Sequence, residues 1–231
     1  MYKRVLLKLS GEAMAGDDKN GINFDVVDSI CEKIVELSKN GIQVGVVTGG
    51  GNFWRGYYGA NMEKVTSHYM GMLATVINSL ALKDALIAKG VKAVVQTSIS
   101  MIQIAEPYTK RDMEKHFDEG CVVIFGGGTG LPFFSTDTCA ALRATEMNAD
   151  VILVAKTIDG VYSADPKIDP NAIKYDEITY DEVLKKNLKV MDSPAIALCR
   201  DNNIPLLVFE LKNTENIVRA AKGENIGTIV K

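Results

Sequence analysis

Two apolar segments of this chain each run into a cluster of glycines, and this repeated pattern constrains the fold more than any other feature. Ile42–Val47 precedes the triplet Gly49–Gly51, and Val122–Phe125 precedes the cluster Gly126–Gly130. Glycine has no Cβ, so it accepts positive φ and lets backbone N–H groups approach an anion closely at the end of a strand. Two such loops predict two phosphate-bearing ligands at one sheet edge.

Other well-known catalytic signatures are absent from the sequence. No Gly-Lys-Ser or Gly-Lys-Thr follows either cluster, so a P-loop is not supported, and the Rossmann fingerprint is missing. The two histidines, His68 and His116, belong to no His-Glu-x-x-His motif, and there is no Gly-x-Ser-x-Gly elbow. Acyl transfer and zinc hydrolysis are therefore disfavoured, while turn formation remains the alternative explanation for either glycine cluster taken alone.

Composition narrows the partners and the compartment. The 26 basic and 29 acidic side chains give a formal net charge of −3, which predicts neither a nucleic-acid nor a membrane partner. We expect no segment of membrane-spanning length. The four cysteines lie in apolar segments with no Cys-x-x-Cys pair and no nearby histidine, which predicts reduced core cysteines in a cytosolic protein and no metal cluster.

Short apolar runs rich in β-branched residues predict strands buried on both faces, and hence an α/β fold with helices on each side of a mainly parallel sheet. The predicted strands are Val5–Leu9, Ile42–Val47, Val91–Gln96, Val122–Phe125, Val151–Ala155 and Pro205–Phe209. Helical spacing predicts helices over Val26–Leu37, through Leu73 to about Lys89, and near Tyr180–Lys186, Met191–Asn202 and Thr214–Ala221. Asp159–Asn171 is predicted to form a hairpin or an extended excursion.

Three polar positions stand at the predicted strand ends, where ligands of open α/β sheets collect. Lys8 interrupts an apolar strand and is costly to bury unless it meets an anion, although a lysine can also extend its ammonium to water. Arg55 follows the first glycine cluster, and its planar guanidinium suits a phosphoryl group. Ser135 is a predicted helix cap, which by itself explains its position, and a helix start is also an anion site.

Six segments occur in the order in which they are found in bacterial uridylate (UMP) kinases of the amino acid kinase superfamily, which this chain closely resembles over essentially its whole length. They are Lys8–Glu12, Gly49–Asn52 with Arg55, Met70–Thr75, Gly128–Gly130 with Pro132–Phe134 and Thr136-Asp137, Asp159–Tyr162 with Ala164–Pro166, and Lys189–Asp192. The resemblance implies a three-layer αβα sandwich over residues 1–231 as one domain. It also implies a cytoplasmic homohexamer that converts ATP and UMP to ADP and UDP for pyrimidine nucleotide synthesis, with Mg²⁺ carried by ATP and no metal held by the protein alone.

The resemblance also implies roles for individual residues. The ATP-binding residues would be Lys8, Leu9, Ser10, Gly11, Gly51, Arg55, Lys156, Tyr162 and Asp165. The UMP-binding residues would be Gly50, Thr129, Gly130, Leu131, Pro132, Phe133, Phe134, Ser135 and Thr136. The catalytic set would be Lys8 and Arg55, with Asp137 and Asp192 organising Lys8 or the magnesium.

His68 departs from the family pattern, because relatives usually have an aspartate there that contacts the UMP ribose. We predict that His68 takes over this contact, since a neutral imidazole still accepts one hydrogen bond. A solvated position at the start of a helix is the alternative.

Two rival functions stay open at this point. One is a noncatalytic nucleotide-binding hexamer, which the charged set Lys8, Arg55, Asp137 and Asp165 disfavours. The other is a kinase for a small acid such as carbamate or an amino-acid carboxylate.

Overall fold

The computed structural model describes residues 1–18, 20–55 and 61–231, and within them one large sheet organises the chain. In chain order the strands are β1 (Arg4–Leu9), β2 (Gln43–Thr48), β3 (Ala93–Thr97), β4 (Glu106–Pro107), β5 (Val122–Gly126), β6 (Val151–Lys156), β7 (Val161–Tyr162), β8 (Lys174–Tyr175), β9 (Glu177–Ile178), β10 (Leu206–Glu210) and β11 (Thr228–Val230). Nine of them form a sheet in the order β4-β3-β5-β2-β1-β6-β10-β11-β9. All neighbours are parallel except β10 and β11, and β7 and β8 form a separate antiparallel hairpin.

Helices cover both faces of this sheet. They are α1 (Gly11–Ala15), α2 (Phe24–Lys39), α3 (Lys64–Ala88), α4 (Lys110–Asp118), α5 (Thr136–Glu146), α6 (Tyr180–Lys185), α7 (Ser193–Asp201) and α8 (Glu215–Ala221). Side chains of β1 alternate between the two layers: Val5, Leu7 and Leu9 join the core under α2, α3 and α8, while Leu6 joins the core under α4 to α7. The predicted α/β fold, a three-layer sandwich around a mainly parallel sheet, is confirmed.

The sequence missed the shortest elements of this architecture. The strands β4 and β9 have two residues each, too few to show any periodicity. Helix α4 buries only Met113 and Phe117, so its apolar pattern is one pair at spacing four. Helix α3 begins nine residues before Leu73 because the Glu63 carboxylate caps its start, accepting hydrogen bonds from the N–H groups of Val65 and Thr66.

The expectation that no segment reaches membrane-spanning length was wrong for α3. This helix has 25 residues and is apolar enough to cross a membrane by length and composition alone. Its polar residues Asn78 and Ser79 are nevertheless fully buried, and its inner face packs against β3 and β5. Such packing is typical of a core helix.

Candidate active site

Gly49 and Gly50 of the first glycine loop, with Gly11 beside them, pack so tightly against neighbouring backbone that a Cβ does not fit, whereas Gly51 has room for one. A Cβ on Gly11, at the start of α1, would lie 2.6 Å from the backbone nitrogen of Gly51, and a Cβ on Gly50 would lie 2.7 Å from the carbonyl oxygen of Gly71 in α3. The buried amide of Asn78 donates to the carbonyl oxygen of Gly49 over 2.7 Å. None of the residues Gly49–Gly51 has a positive φ, so the expected left-handed turn is absent here.

The second glycine loop follows β5 and does adopt the expected left-handed conformation. Gly127, Gly128 and Gly130 have φ of 78°, 58° and 79°. The N–H of Gly127 donates to the hydroxyl of Thr75 in α3 over 2.9 Å, which ties the loop to that helix. Phe133 also has a positive φ, 70°, which is strained for a bulky residue and presents its ring to the surface.

Lys8 lies in the central strand β1 and forms an ion pair with Asp137. The Lys8 Nζ and Asp137 Oδ1 atoms are 2.5 Å apart, and the two side chains are 10% and 21% exposed. Asp137 belongs to the first turn of α5, where the positive end of the helix dipole stabilises its negative charge. The lysine that the sequence predicted to need an anion therefore has a carboxylate as its partner.

Asp192 acts on this pair from a distance, through the cap of α5. The Ser135 hydroxyl accepts hydrogen bonds from the N–H groups of Asp137 and Thr138, and so caps the helix. Asp192 in turn accepts from the hydroxyls of Ser135 and Thr138, over 2.7 and 2.8 Å, and caps α7. Asp192 is therefore placed to fix the start of α5 and the position of Asp137.

Arg55 and Lys156 complete the basic groups near Lys8. Arg55 forms an ion pair with Glu12 of α1 and lies 3.4 Å, through its Nε atom, from the carbonyl oxygen of Gly51. Lys156, the last residue of β6, donates to the carbonyl oxygen of Lys189 over 3.1 Å. Burial lowers the pKa of Lys156, an effect that the charge of Asp137 opposes and that of Lys8 reinforces.

A first cavity of about 450 Å³ opens beside the second glycine loop and the start of α5. Of the residues predicted for UMP, it is lined by Gly50, His68, Phe134, Ser135 and Thr136. The stretch from Thr129 to Phe133 lies outside its lining, although the rings of His68 and Phe133 are in contact, with centroids 4.8 Å apart. Gly51, predicted for ATP, also lines this cavity.

Several lining residues were missed at the sequence level, among them Trp54, Lys64 and Thr75. The Trp54 indole donates to the Ser67 hydroxyl over 3.1 Å, which holds its ring at the cavity wall. Its place three residues after the glycine triplet was the available signal. Thr75 ends the Met70–Thr75 segment that carries the resemblance, but its contact with the second glycine loop became visible only in the folded chain.

A second cavity, of about 600 Å³, lies at the ends of β6 and β10 on the other side of α1. Its lining includes Glu12, Asp17, Lys156, Thr157, Glu210 and Lys212. Of the residues predicted for ATP, only Lys156 lies in it. Tyr162 donates to Asp159 over 2.9 Å, and Asp165 accepts from the N–H of Lys167, so both belong to the β7–β8 excursion outside this lining.

The contact between Gly11 and Gly51 joins these two cavities. Glu12 of α1 lines the second cavity and Gly51 lines the first, and Ser10, the cap of α1, follows Lys8 by two residues. The start of α1 and the first glycine loop thus lie between the two cavities, at the end of the strand that carries Lys8. This arrangement can neutralise phosphate oxygens during transfer.

Comparison with known proteins agrees with this geometry. The chain is similar over its full length to UMP kinase from Bacillus anthracis, with 41% identity, 96% of that chain covered and a TM-score of 0.96. It is similar to UMP kinase from Ureaplasma parvum, with 40% identity, 99% of that chain covered and a TM-score of 0.95. Uridylate kinase from Archaeoglobus fulgidus is 29% identical, with 98% of this chain and 99% of that chain covered and a TM-score of 0.77.

A family model agrees with these structural matches. The model of the amino acid kinase family matches residues 3–210. This match spans β1 to β10, and with them both glycine loops, Lys8 and Asp137. The chain belongs to the amino acid kinase family.

Proposed function

We propose that this protein transfers the terminal phosphoryl group of ATP to UMP, giving ADP and UDP, as a step of pyrimidine nucleotide synthesis. The observation that carries the proposal is the ion pair of the buried Lys8 with Asp137, in the strand that leads to the close approach of Gly11 and Gly51, with one cavity lined by Gly51 and another by Glu12. UMP occupies the first cavity and the nucleoside end of ATP occupies the second. Full-length similarity to two UMP kinases supports the choice of acceptor.

The chemistry needs charge neutralisation more than a base. The second pKa of a phosphate monoester is about 6, so the attacking oxygen of UMP is already largely ionised at neutral pH. Lys8 and Arg55 stabilise the charge that spreads over the transferred group, and the backbone at Gly11 and Gly51 lets its oxygens come close. Asp137 keeps the Lys8 ammonium in position, and Asp192 keeps Asp137 in position through Ser135.

Mg²⁺ fits this site as a companion of ATP. Mg²⁺ prefers oxygen ligands and usually takes one or two carboxylates together with substrate phosphates. Asp137 and Asp192 supply carboxylates at the start of α5 that would hold it. When bound with ATP, the ion adds positive charge at the transferring phosphoryl group.

Recognition of the two nucleosides is proposed residue by residue. His68 and Phe134 line the first cavity, and their rings provide walls for the nucleoside of UMP. The His68 imidazole accepts a hydrogen bond from a ribose hydroxyl. Thr136 presents a hydroxyl to the same cavity. On the other side, we propose that Tyr162 and Asp165 contact the ATP nucleoside from the β7–β8 excursion, outside the lining of the second cavity.

The assembly and location are also proposals. We propose one domain over residues 1–231 and a homohexamer in the cytoplasm. Tyr69, Leu73 and Ile77 form one exposed apolar stripe on α3, each more than 40% exposed, which supports burial against another copy. The four cysteines are all unpaired, as in reducing compartments.

One coupled assay tests the function. Purified protein is given ATP and Mg²⁺ with UMP, CMP, carbamate or acetylglutamate, and ADP release is followed. We expect ADP release with UMP well above that with the other three acceptors. Preference for carbamate or acetylglutamate would instead identify a small-acid kinase, and binding of UMP without turnover would identify a noncatalytic nucleotide-binding protein.

A further inference from the structure

We propose that His116, Glu119 and Cys121 form a binding site for a zinc ion at the end of α4, separate from the nucleotide site. One ligand atom from each residue lies within 4.8 Å of the other two. None of the three residues lines either cavity described above. The sequence-based expectation that no cysteine has a nearby histidine was therefore wrong at Cys121.

The turn that ends α4 brings the three side chains together. The N–H of Cys121 donates to the carbonyl oxygen of His116 over 2.9 Å, and Gly120 between Glu119 and Cys121 has a φ of 75°. This left-handed residue reverses the chain, so that Cys121 returns beside the last helical turn. The grouping is thus fixed by backbone hydrogen bonds and does not depend on contacts among the three side chains.

His116 has one ring nitrogen held by a carboxylate and the other without a hydrogen-bond partner in the described chain. Its Nε2 atom lies 2.7 Å from the Glu106 carboxylate in β4, which can only accept, so Nε2 carries the hydrogen and Nδ1 of the neutral ring keeps a lone pair. Nδ1 is buried and has no hydrogen-bond partner within the described chain. Metal-bound histidines typically donate their other N–H to a carboxylate in this way.

The donor set favours zinc over magnesium. A thiolate and an imidazole are soft or borderline ligands that suit Zn²⁺, whereas Mg²⁺ prefers oxygen alone. Donors of a tetrahedral zinc are roughly 3.3–3.8 Å apart at its usual bond lengths. Glu119 is exposed, so its side chain is able to close the remaining gap, and three protein ligands leave the fourth position to water.

The present side-chain partners of Glu119 and Cys121 would compete only weakly with a metal ion. The ion pair of Glu119 with Lys115 is 3.8 Å long and exposed, so it contributes little. Cys121 is half-buried, whereas the other three cysteines are buried. Without a metal, the hydrogen bond between His116 and Glu106 would serve only to connect α4 with β4.

Cobalt(II), a spectroscopic substitute for Zn²⁺, tests the site in the intact protein. We expect one Co²⁺ per chain with a sulfur-to-metal charge-transfer band and the visible bands of a tetrahedral ion, displaced by one equivalent of Zn²⁺ and unaffected by excess Mg²⁺. Cys121→Ala should lose the charge-transfer band, and His116→Gln should lose the tetrahedral spectrum. Glu106→Gln, which removes only the carboxylate behind His116, should weaken Zn²⁺ binding by about 10–100-fold.

His68→Gln is the matched control, because it removes the other histidine and should leave the cobalt spectrum unchanged. Circular dichroism checks that each variant is folded, and Cys121→Ser replaces Cys121→Ala if the latter is not. Wild-type protein without the charge-transfer band would overturn the proposal. So would a charge-transfer band that persists in folded Cys121→Ala, or a tetrahedral spectrum that persists in folded His116→Gln.

Discussion

The two glycine loops at the sheet edge resemble each other in sequence but need glycine for different reasons. Gly50 has an ordinary backbone conformation and no room for a Cβ, which would meet the Gly71 carbonyl oxygen at 2.7 Å. Gly127 has room, because a Cβ there would have no neighbour closer than 3.4 Å, but its φ is 78°. One loop is thus determined by packing and the other by backbone conformation.

This difference matches the work proposed for each loop. The first loop packs between α1 and α3 and follows the strand that pairs with the Lys8 strand. We expect it to hold the transferring phosphate in a fixed position. The second loop leads to Phe133 and Phe134, which are 65% and 48% exposed and can adjust around an acceptor. We therefore expect changes on the first side to lower turnover and changes on the second side to weaken UMP recognition.

The largest expected effect separates the two sides by turnover. Lys8→Ala removes a preorganised charge at the transferring group, a loss of about 3 kcal/mol, so kcat should fall by roughly 100-fold or more with little change in the KM for UMP. We expect kcat to fall in Arg55→Ala as well. Steady-state kinetics measures both, and Lys33→Ala, which breaks a surface ion pair with Glu215, is the control with unchanged kcat. Near-normal turnover in Lys8→Ala would remove this lysine from the mechanism.

The second prediction tests the packing difference directly by stability. Gly127→Ala should lower the free energy of unfolding by about 1–2 kcal/mol, the usual cost of left-handed backbone for a residue with a Cβ. Gly50→Ala should cost more, because its methyl meets the Gly71 carbonyl and the Ala74 methyl at 2.7 and 2.8 Å. Denaturant titration measures both, and Gly223→Ala, with φ of 83° and nothing within 4 Å, isolates the cost of backbone strain. A larger loss in Gly127→Ala than in Gly50→Ala would refute the comparison.

The sequence predicted the shared feature of these loops and missed their difference. The glycine clusters predicted both loops, the β-branched runs predicted the sheet, and a lysine in an apolar strand drew attention to Lys8. Each of these predictions depends on a local sequence pattern. It could not show that Gly50 touches α3, nor that Lys8 meets Asp137, since each pair is far apart along the chain and meets only through the sheet order. That Lys8 needs an anionic partner was thus predictable from its place in an apolar strand, and Asp137 as that partner was named only by resemblance.

The third prediction concerns the acceptor side alone. Thr136→Val keeps the shape of the side chain and removes a hydroxyl that lines the first cavity. Loss of one hydrogen bond of about 1–1.5 kcal/mol should raise the KM for UMP about tenfold, while the KM for ATP changes less than about twofold. Thr145→Val in the same helix, whose hydroxyl only donates to the Ala141 carbonyl, is the matched control. Equal changes in both KM values would contradict the assignment of the two cavities.

The smallest expected effect concerns His68, the residue at which this chain departs from the family. If its imidazole accepts a hydrogen bond from the ribose, His68→Ala should weaken UMP binding a few-fold at about pH 7.5, about 1 kcal/mol for one hydrogen bond. A protonated imidazole has no acceptor, so the wild type should bind UMP less well at about pH 5.5 than at about pH 7.5. His68→Asp keeps an acceptor through this range and should lack that loss.

The phosphate of UMP also titrates, at about pH 6, and it does so with every variant. The decisive quantity is therefore the difference between the binding curves of the wild type and His68→Asp. Glu63, which caps α3 near His68, has its pKa lowered by the N–H groups of Val65 and Thr66, and so stays charged across the same window in every variant. Isothermal titration at several pH values across this window gives the three curves. Identical pH profiles in wild type, His68→Ala and His68→Asp would show that the ring only packs against Phe133. Recognition of UMP would then fall to α5 and the second glycine loop.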